Sequence, residues 1–251
     1  MTALALVVPM AGRGSRFSRQ GYLVPKPLVA LHGKPFFVWA VQSITSKVDV
    51  RELIVVVLRE HVAQFGIDAI VTSHFPAARV VVIDEVTSGA AETAAVGIAA
   101  LQTDGPFAVN DCDHAFDASG VEALLPALDG GRMAAALLCF RSASPAFSYV
   151  RLDASGHVVG TVEKQAVSPL AIAGCYVFGG KAAFNESFAH YRTRCTYDEL
   201  FMSGVFNELI ESGAYVGTHE LLQHIPFGTP EEMSSVDAIE LTASTRAPES
   251  K

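Results

Sequence analysis

The sequence predicts a mixed α/β protein whose mainly parallel central sheet is flanked by helices, with a β-rich second half. Two patterns carry this prediction. Through the first half, short β-branched runs alternate with helical runs, which is typical of a parallel sheet covered on both faces. After Arg132, strand candidates follow one another closely. We expect a single domain over residues 1–241, because no linker or internal repeat divides it.

The first half, about residues 1–131, alternates between strands and helices. Apolar β-branched runs bounded by polar residues predict the strands, and longer periodic runs predict the helices. The predicted strands are residues 4–8, 53–58, 80–83 and 107–110. The predicted helices are residues 36–44, 90–101 and 121–128.

The second half, about residues 132–241, is richer in strands. Strands are predicted at 134–140, 149–152, 157–163, 172–178 and 214–220, with a hairpin turn at 153–156. Helices are predicted at 181–192 and 199–212. Thr229 and Pro230 suit the N-cap and first position of another short helix. Residues 242–251 are small and polar, and we expect a flexible tail there.

Composition and charge exclude several classes of protein. The 251 residues carry 18 Lys and Arg against 26 Asp and Glu, a net charge of −8, which argues against nucleic-acid binding. No apolar run approaches the length that crosses a bilayer, and residues 4–8 are too short for a signal segment. We therefore expect no membrane contact. The four cysteines are widely spaced without a C-x-x-C pair, as expected for reduced thiols in a cytoplasmic protein.

A loop with two glycines and two arginines follows the first predicted strand. Gly12 and Gly14 let the backbone approach a ligand closely, so that successive N–H groups can point at anionic oxygens. Arg13 and Arg16 supply forked donors suited to phosphate. The alternative is an ordinary turn after a strand. The dinucleotide fingerprint is not met, because Phe17 stands where that motif has its third glycine.

Lys26 lies between Pro25 and Pro27. Because the two prolines restrict the backbone on either side, we expect the lysine to be presented from a stiff arm. Together with the preceding loop, this arm indicates a site for a triphosphate.

Two carboxylates follow the predicted strand at 107–110. Asp111 and Asp113 come where this strand reaches its carboxyl end, the edge at which open α/β sheets bind ligands. They are candidate ligands for Mg²⁺, a hard ion that prefers oxygen; a solvated acidic turn is the alternative. Thr87 and Gly89 also follow a predicted strand and open a helix, so their N–H groups either meet a base or ribose or form a plain turn.

The ordered run of G-x-G-x-R-F at 12–17, P-K-P-L at 25–28 and G-K-P at 33–35 resembles the signature of the sugar-nucleotide pyrophosphorylase and cytidylyltransferase superfamily. The resemblance covers nearly the whole chain. It implies a Rossmann-like fold of the glycosyltransferase-A type, and transfer of a nucleotidyl group from a nucleoside triphosphate to a phosphorylated small molecule. The D-x-D motif also occurs in glycosyltransferases of a related fold, but P-K-P-L is not expected in them.

The resemblance also implies roles for residues of the first half. Arg16 and Lys26 would serve catalysis, and Asp113, with Asp111 as the second candidate, would hold Mg²⁺. The residues expected to bind the nucleotide are Met10, Ala11, Gly12, Arg13, Gly14, Ser15, Thr87 and Gly89.

In the second half, the E-K pair at 163–164 and the G-x-Y-x-F run at 174–178 are similar to segments that line the family's acceptor pocket. Lys164 would neutralise the acceptor phosphate, Glu163 would accept from its hydroxyls, and Gly174 would offer backbone groups. Glu199 and Asn207 are further acceptor-side candidates. The alternative is a surface ion pair and a routine strand glycine.

One departure from the family pattern concerns the metal. Many relatives have a second metal carboxylate just before a G-T-P-E turn, whereas this chain has Ile225, Pro226 and Phe227 there. The second ligand is then Asp111, Glu220 or the nucleotide itself.

The sequence therefore favours a magnesium-dependent nucleotidyltransferase similar to short bacterial enzymes of capsule or surface-polysaccharide synthesis. A pyrimidine triphosphate is favoured, with CTP ahead of UTP and dTTP. A D-x-D glycosyltransferase and a nucleotide-binding protein without turnover are the alternatives. The base, the acceptor and the oligomeric state, including a homo-oligomer, stay open.

Overall fold

The computed structural model of the protein describes residues 3–247. The strands are β1 (Leu4–Pro9), β2 (Ala30–Leu31), β3 (Lys34–Pro35), β4 (Val50–Leu58), β5 (Arg79–Ile83), β6 (Phe107–Asn110), β7 (His114–Phe116), β8 (Ala135–Arg141), β9 (Ser148–Leu152), β10 (Val158–Glu163), β11 (Leu170–Phe178), β12 (Val216–Glu220) and β13 (His224–Pro226). The α-helices are α1 (Ser15–Arg19), α2 (Phe36–Thr45), α3 (Arg59–Phe65), α4 (Ile67–His74), α5 (Ala90–Ala100), α6 (Leu125–Asp129), α7 (Lys181–Arg194), α8 (Met202–Glu211), α9 (Pro230–Ser234) and α10 (Ala238–Ser244).

One mixed sheet runs through the described part of the chain. Its first half is parallel, because β6 and β4 both pair in parallel with β1, and β5 pairs in parallel with β4. Strand β11 pairs antiparallel with β6 and joins the second half to the first. It also pairs antiparallel with β8 and β9, while β12 lies parallel to β8. The predicted fold class, a mainly parallel central sheet flanked by helices with a β-rich second half, is confirmed.

Helices cover both faces of this sheet. Along β1, Leu4, Leu6 and Val8 pack into one core with α2 and α4, whereas Ala5 and Val7 pack into another with α5, α7 and α8. Successive side chains of a strand point to opposite faces, so a strand that is apolar at every position must be buried on both. The continuous apolar run that opens the chain is therefore a central strand.

The helix predicted at 121–128 is a 3₁₀ turn over Val121–Leu124 followed by α6. Pro126 lies at the start of α6, and its missing N–H prevents one continuous helix. The helix predicted from residue 199 begins at Met202, because Leu200 forms main-chain hydrogen bonds with Ser88 and Ala91 instead. Helices α3 and α4, which the sequence did not reveal, are short and meet at the left-handed Gly66.

The expected flexible tail overlaps α10. Asp237 caps this helix, whose Leu241 and Ser244 are buried, so regular structure continues to Ser244. Residues 248–251 of the expected tail lie outside the described residues. Among residues 3–247, no helix has both the length and the apolar character needed to span a bilayer.

Candidate active site

A cleft of about 840 Å³ lies at the carboxyl ends of β1 and β6, which are parallel neighbours in the sheet. The loop after β1 and the turn after β6 form one side. Residues at the end of β10, within β11 and before α8 form the other. The cleft thus gathers most of the residues that the sequence singled out. They are Met10, Ala11, Gly12, Arg13, Gly14, Ser15, Arg16, Lys26, Thr87, Gly89, Asp111, Asp113, Glu163, Lys164, Gly174 and Glu199.

The loop after β1 packs against the lysine arm at Gly14. Met10 and Ala11 are buried, whereas Arg13 and Arg16 are exposed along the cleft. Gly14 adopts the left-handed conformation with φ 58°, and a Cβ there would lie 2.7 Å from Lys26 Cβ. Glycine is therefore required for the loop and the lysine arm to meet.

Phe17 anchors the start of α1 beneath this loop. Its ring is 1% exposed and packs edge-on against Tyr22 and Phe36, at centroid distances of 5.1 and 5.5 Å. The residue that breaks the dinucleotide fingerprint is thus a packing anchor for the loop.

Lys26 and Asp113 form an ion pair across the floor of the cleft. The chain around Lys26 is a 3₁₀ turn over Lys26–Leu28, preceded by the extended Pro25. Burial opposes the charge of Lys26, but the negative groups around it, Asp113 above all, raise the pKa of its ammonium. Lys26 is therefore a fixed cation at the carboxyl end of β6.

The two aspartates of the turn differ in charge state. Burial and the charge of Asp113 raise the pKa of Asp111 to about 8. Burial acts on Asp113 in the same direction, but Lys26 and His114 outweigh it and lower the pKa of that carboxyl. Neighbouring carboxylates do not both ionise easily, so Asp113 is the permanent anion of the pair.

A buried chain of hydrogen bonds runs through Asn110 and His114, the residues on either side of the Asp111–Asp113 turn. Asn110 donates to the Ala40 carbonyl oxygen at 3.1 Å, which leaves its side-chain oxygen to accept from His114 Nε2 at 3.1 Å. His114 Nδ1 then accepts from His224 Nε2 at 3.1 Å. Burial lowers the pKa of His114 to about 4, so the ring is neutral at pH 7.

Glu232 is a third carboxylate near the candidate metal ligands, and the sequence did not predict it. It is the third residue of α9 and belongs to a capping box with Thr229, whose N–H it accepts at 3.0 Å. The position that a Cβ would take on Gly228 lies 2.5 Å from Asp113 Oδ2 and 3.5 Å from Glu232 Oε2. Burial and the nearby Asp113 charge raise the pKa of Glu232.

Glu220, which the sequence offered as a second metal ligand, lies elsewhere. It accepts from Arg141 Nε at 2.7 Å and does not line the cleft. The capping-box pattern T-x-x-E could have drawn attention to Glu232, but only the fold brings it to Asp113.

On the side of the cleft predicted to hold the acceptor, Glu163 is buried and accepts hydrogen bonds from the hydroxyls of Ser148, at 2.6 Å, and Ser203. Lys164 follows in the left-handed region, with φ 54°, and its ammonium lies 5.1 Å from the centre of the Phe201 ring. These two residues do not form the surface ion pair that was the alternative for this motif.

The remaining acceptor candidates divide between the cleft and the interior. Gly174 lies against the turn after β6, since its carbonyl oxygen accepts from Asp111 N–H at 2.9 Å. Glu199 is exposed on the cleft wall. Asn207 does not line the cleft, because its side chain accepts from Thr161 N–H and donates to the Thr161 carbonyl oxygen. Asn207 therefore binds α8 to β10.

On the nucleotide side, Thr87 and Gly89 line the cleft where the chain enters α5. The Ser88 N–H donates to Glu92 at 2.7 Å, and the Ala91 N–H donates to the Leu200 carbonyl oxygen at 2.9 Å. Both amide groups already have partners within the protein, which leaves fewer N–H groups at this helix start for a ligand.

Comparison with solved structures shows the same fold in nucleotide-handling proteins. The nucleoside-diphosphate-sugar pyrophosphorylase from Vibrio cholerae RC9 is 23% identical, with a TM-score of 0.78 over 91% of this chain and 98% of that one. The inositol-1-phosphate CTP transferase from T. maritima is 14% identical, with a TM-score of 0.75 over 98% and 97%.

A third similar structure is a putative glucose-1-phosphate thymidylyltransferase from Bacillus anthracis. It is 15% identical, with a TM-score of 0.75 over 99% of this chain and 98% of that one. No curated protein matches this chain at a significant level. The family model for the MobA-like NTP transferase domain matches residues 6–158. The match spans more than half of the chain and includes the loop after β1, Lys26 and both aspartates; the chain belongs to this family and is a nucleotidyltransferase.

Proposed function

We propose that the enzyme joins a nucleoside triphosphate to a phosphorylated small molecule and releases pyrophosphate. The observation that carries this proposal is the arrangement of cations in the cleft. Lys26, with the arginine loop, lies on one side, and Lys164 lies on the other beside the buried Glu163. Two separate groups of cationic side chains in one cleft can bind two anionic substrates next to each other.

In this reaction an oxygen of the acceptor phosphate attacks the α-phosphorus of the triphosphate. A new P–O bond forms, the bond from the α-phosphorus to the bridging oxygen breaks, and pyrophosphate leaves with that oxygen. The attacking phosphate is already an anion and needs no general base. The barrier is therefore mainly electrostatic, and catalysis consists of positioning and charge neutralisation.

The chain's own residues divide this work. Lys26 contacts the α-phosphate, and Arg16 with the loop N–H groups stabilises the departing pyrophosphate. Lys164 holds the acceptor phosphate, while Glu163, Gly174 and Glu199 contact the rest of the acceptor. The nucleotide lies along Met10, Ala11, Gly12, Arg13, Gly14 and Ser15, with Thr87 and Gly89 beside the base and ribose.

Magnesium would be held in the cleft by carboxylates together with substrate phosphates, because no three His, Cys, Asp or Glu side chains among residues 3–247 form a metal cluster by themselves. Asp113, Asp111 and Glu232 offer carboxylate oxygens, which Mg²⁺ prefers, and Mg²⁺ is commonly bound through one or two carboxylates plus substrate phosphates. These residues would hold the ion together with the triphosphate. The bound ion would supply positive charge to the phosphate oxygens. Glu220 is not in this set because it pairs with Arg141.

A pyrimidine triphosphate is the favoured donor, with CTP ahead of UTP and dTTP. The support is the likeness to an inositol-1-phosphate CTP transferase and a putative thymidylyltransferase. Sugar phosphates and phosphorylated alditols are the favoured acceptors. The product would serve surface-polysaccharide synthesis in the cytoplasm.

A pyrophosphate-release screen tests this proposal. Four triphosphates, including CTP and dTTP, are each combined with magnesium and a panel of phosphorylated sugars, alditols, amino alcohols and phosphonates. We expect release only when a triphosphate and an acceptor are both present. Hydrolysis of a nucleotide-sugar without pyrophosphate release would indicate a glycosyltransferase, and triphosphate binding without release would indicate a binding protein.

A further inference from the structure

The segment before α8 is attached by its main chain to the start of α5. The Leu200 N–H donates to the Ser88 carbonyl oxygen at 2.9 Å, and the Leu200 carbonyl oxygen accepts from the Ala91 N–H at 2.9 Å. Residues of the second half are thus bonded to the strand-to-helix turn of the first. We call this contact the 89–200 junction, formed by Ser88, Gly89, Ala91 and Leu200.

Gly89 lies at the centre of the junction, with φ 154°. A Cβ at this position would lie 2.5 Å from Leu200 N and 2.6 Å from Leu200 O. Both atoms belong to the backbone, so a side chain cannot be accommodated by a rotamer change. The Gly89 carbonyl is itself held by Thr87 Oγ1 at 2.9 Å and by Thr93 N–H at 3.1 Å. Leu200 can therefore approach this closely only because Gly89 has no side chain.

The segment that the junction holds belongs to the acceptor side of the cleft. Glu199 precedes Leu200 and lines the cleft, and so does Phe201, which follows it. The Phe201 ring supports the Lys164 ammonium at 5.1 Å, a distance at which an aromatic face attracts a cation. A shift of Leu200 would therefore move both Glu199 and the support of Lys164.

We propose that Gly89 is a positioning residue for the phosphorylated acceptor, acting through Leu200, although its sequence motif points to the nucleotide. This inference rests on the proposed function. It also means that the two halves of the cleft are joined mechanically: a residue of the nucleotide half fixes the geometry of the acceptor half.

The test compares Gly89→Ala with Gly66→Ala. Gly66 also has a positive φ, 61°, but nothing lies within 4 Å of where its Cβ would be, so this control introduces backbone strain without a clash. Binding of inositol 1-phosphate and of CTP with magnesium is measured by calorimetry, and the acceptor KM by pyrophosphate release. Lys164→Ala serves as the reference for a lost acceptor contact.

We expect Gly89→Ala to weaken inositol 1-phosphate binding, or raise its KM, by roughly 10- to 100-fold, because misplacement of about 1 Å has effects of this size. CTP affinity should fall much less than the affinity for inositol 1-phosphate, although Gly89 also lies beside the proposed nucleotide. In Lys164→Ala only the binding of inositol 1-phosphate should weaken. Gly66→Ala should bind both ligands as the wild type does. An equal loss of CTP affinity in Gly89→Ala, or unchanged acceptor binding, would overturn the proposal.

Amide hydrogen exchange of the wild type provides a test that does not depend on the variant folding. The Leu200 and Ala91 amides should exchange slowly; exchange of Leu200 at the rate of an open loop would contradict the junction. If the wild type releases no pyrophosphate, the proposed function fails. Calorimetry of inositol 1-phosphate with the wild type and Gly89→Ala still decides whether Gly89 positions this ligand.

Discussion

Lys26 is attached to a rigid arm and paired with Asp113, so its ammonium is in place before a substrate binds. The ion pair holds the lysine at the carboxyl end of β6, where the proposed α-phosphate lies. Preorganised charge of this kind acts mainly on the transition state, in which negative charge around the phosphorus is redistributed.

Lys26→Ala should therefore lower turnover by roughly 100- to 1,000-fold while changing the Kd of CTP only a few-fold. Steady-state pyrophosphate release and calorimetry give the two quantities. Lys47→Ala is a suitable control, because Lys47 pairs with Asp117 and does not line the cleft. Equal losses of turnover and of CTP affinity would show that Lys26 serves binding and not catalysis.

Asp113 and Glu232 are the carboxylates whose removal tests the metal assignment. Asp113→Asn should abolish magnesium-dependent activity, because the amide keeps the shape of the side chain and loses its charge. Glu232→Gln should raise the magnesium concentration for half-maximal activity by at least about tenfold, the lower end of what is seen for groups around a metal. Its amide oxygen can still accept the Thr229 N–H, so the helix cap is kept.

Glu220→Gln is the matched control for this pair, because Glu220 pairs with Arg141 outside the cleft. Its magnesium dependence should equal that of the wild type. If Glu232→Gln shows the magnesium dependence of the wild type, Glu232 does not bind the metal and only caps α9.

At the scale of single elements, the sequence was most informative where function and local structure coincide. The loop after β1 and the turn after β6 each follow directly from a strand, so their place at one sheet edge could be predicted. The lysine arm follows α1 and meets this edge through the ion pair of Lys26 with Asp113. Helix starts were less predictable when a distant segment decided them. Leu200 pairs with Ser88 and Ala91, and no local signal separates residues 199–201 from the helix that follows.

The carboxylate of Glu232 shows the same limit. Its neighbour Asp113 is distant in sequence, and they meet because the Phe227 N–H donates to the Asp113 carbonyl oxygen at 2.9 Å. Asn207 is the opposite case. Its sequence motif predicts a place in the acceptor pocket, but its side chain is hydrogen-bonded to the Thr161 backbone. In both cases tertiary contacts, and not local pattern, determine which side chains reach the cleft.

Glu52 on β4 connects the sheet to the loop after α5. Its carboxylate accepts from the N–H groups of Gln102 and Thr103, both at 2.9 Å, and pairs with Arg79. Burial opposes ionisation, but these hydrogen bonds together lower the pKa of Glu52 below its ordinary value. A carboxyl whose pKa is lower in the folded state stabilises the protein when the pH is above its pKa in the unfolded state. This stabilisation is lost as the pH falls through the pKa of the folded state.

Glu52→Gln should therefore reduce the free energy of unfolding at pH 7 by about 1.5–3 kcal/mol, the range for hydrogen bonds to a charged group. The difference from the wild type should shrink as the pH falls below 4.5, the ordinary pKa of a glutamate, because the native carboxyl then becomes increasingly protonated. Urea unfolding at several pH values measures it. The exposed Glu186→Gln on α7 is the control, and a difference that does not change with pH would contradict this account.

At the scale of the whole molecule, one sheet places two differently built regions against a single cleft. The parallel strands β1 and β6 end at the loop and the aspartates, and β11 brings the β-rich half alongside them. This arrangement lets the proposed nucleotide site and the proposed acceptor site share one cleft. The two sides share the 89–200 junction, in which Leu200 is hydrogen-bonded to Ser88 and Ala91.

The most direct test of the proposed reaction follows the label of the triphosphate. CTP labelled at the α-phosphate or at the γ-phosphate is incubated with magnesium, the enzyme and the acceptor that gives most pyrophosphate in the screen. Nucleotidyl transfer predicts that the α-label appears in a product containing the acceptor, while the γ-label appears in pyrophosphate. An α-label that stays in CTP, or appears only in free CMP or CDP, would contradict transfer to a phosphorylated acceptor.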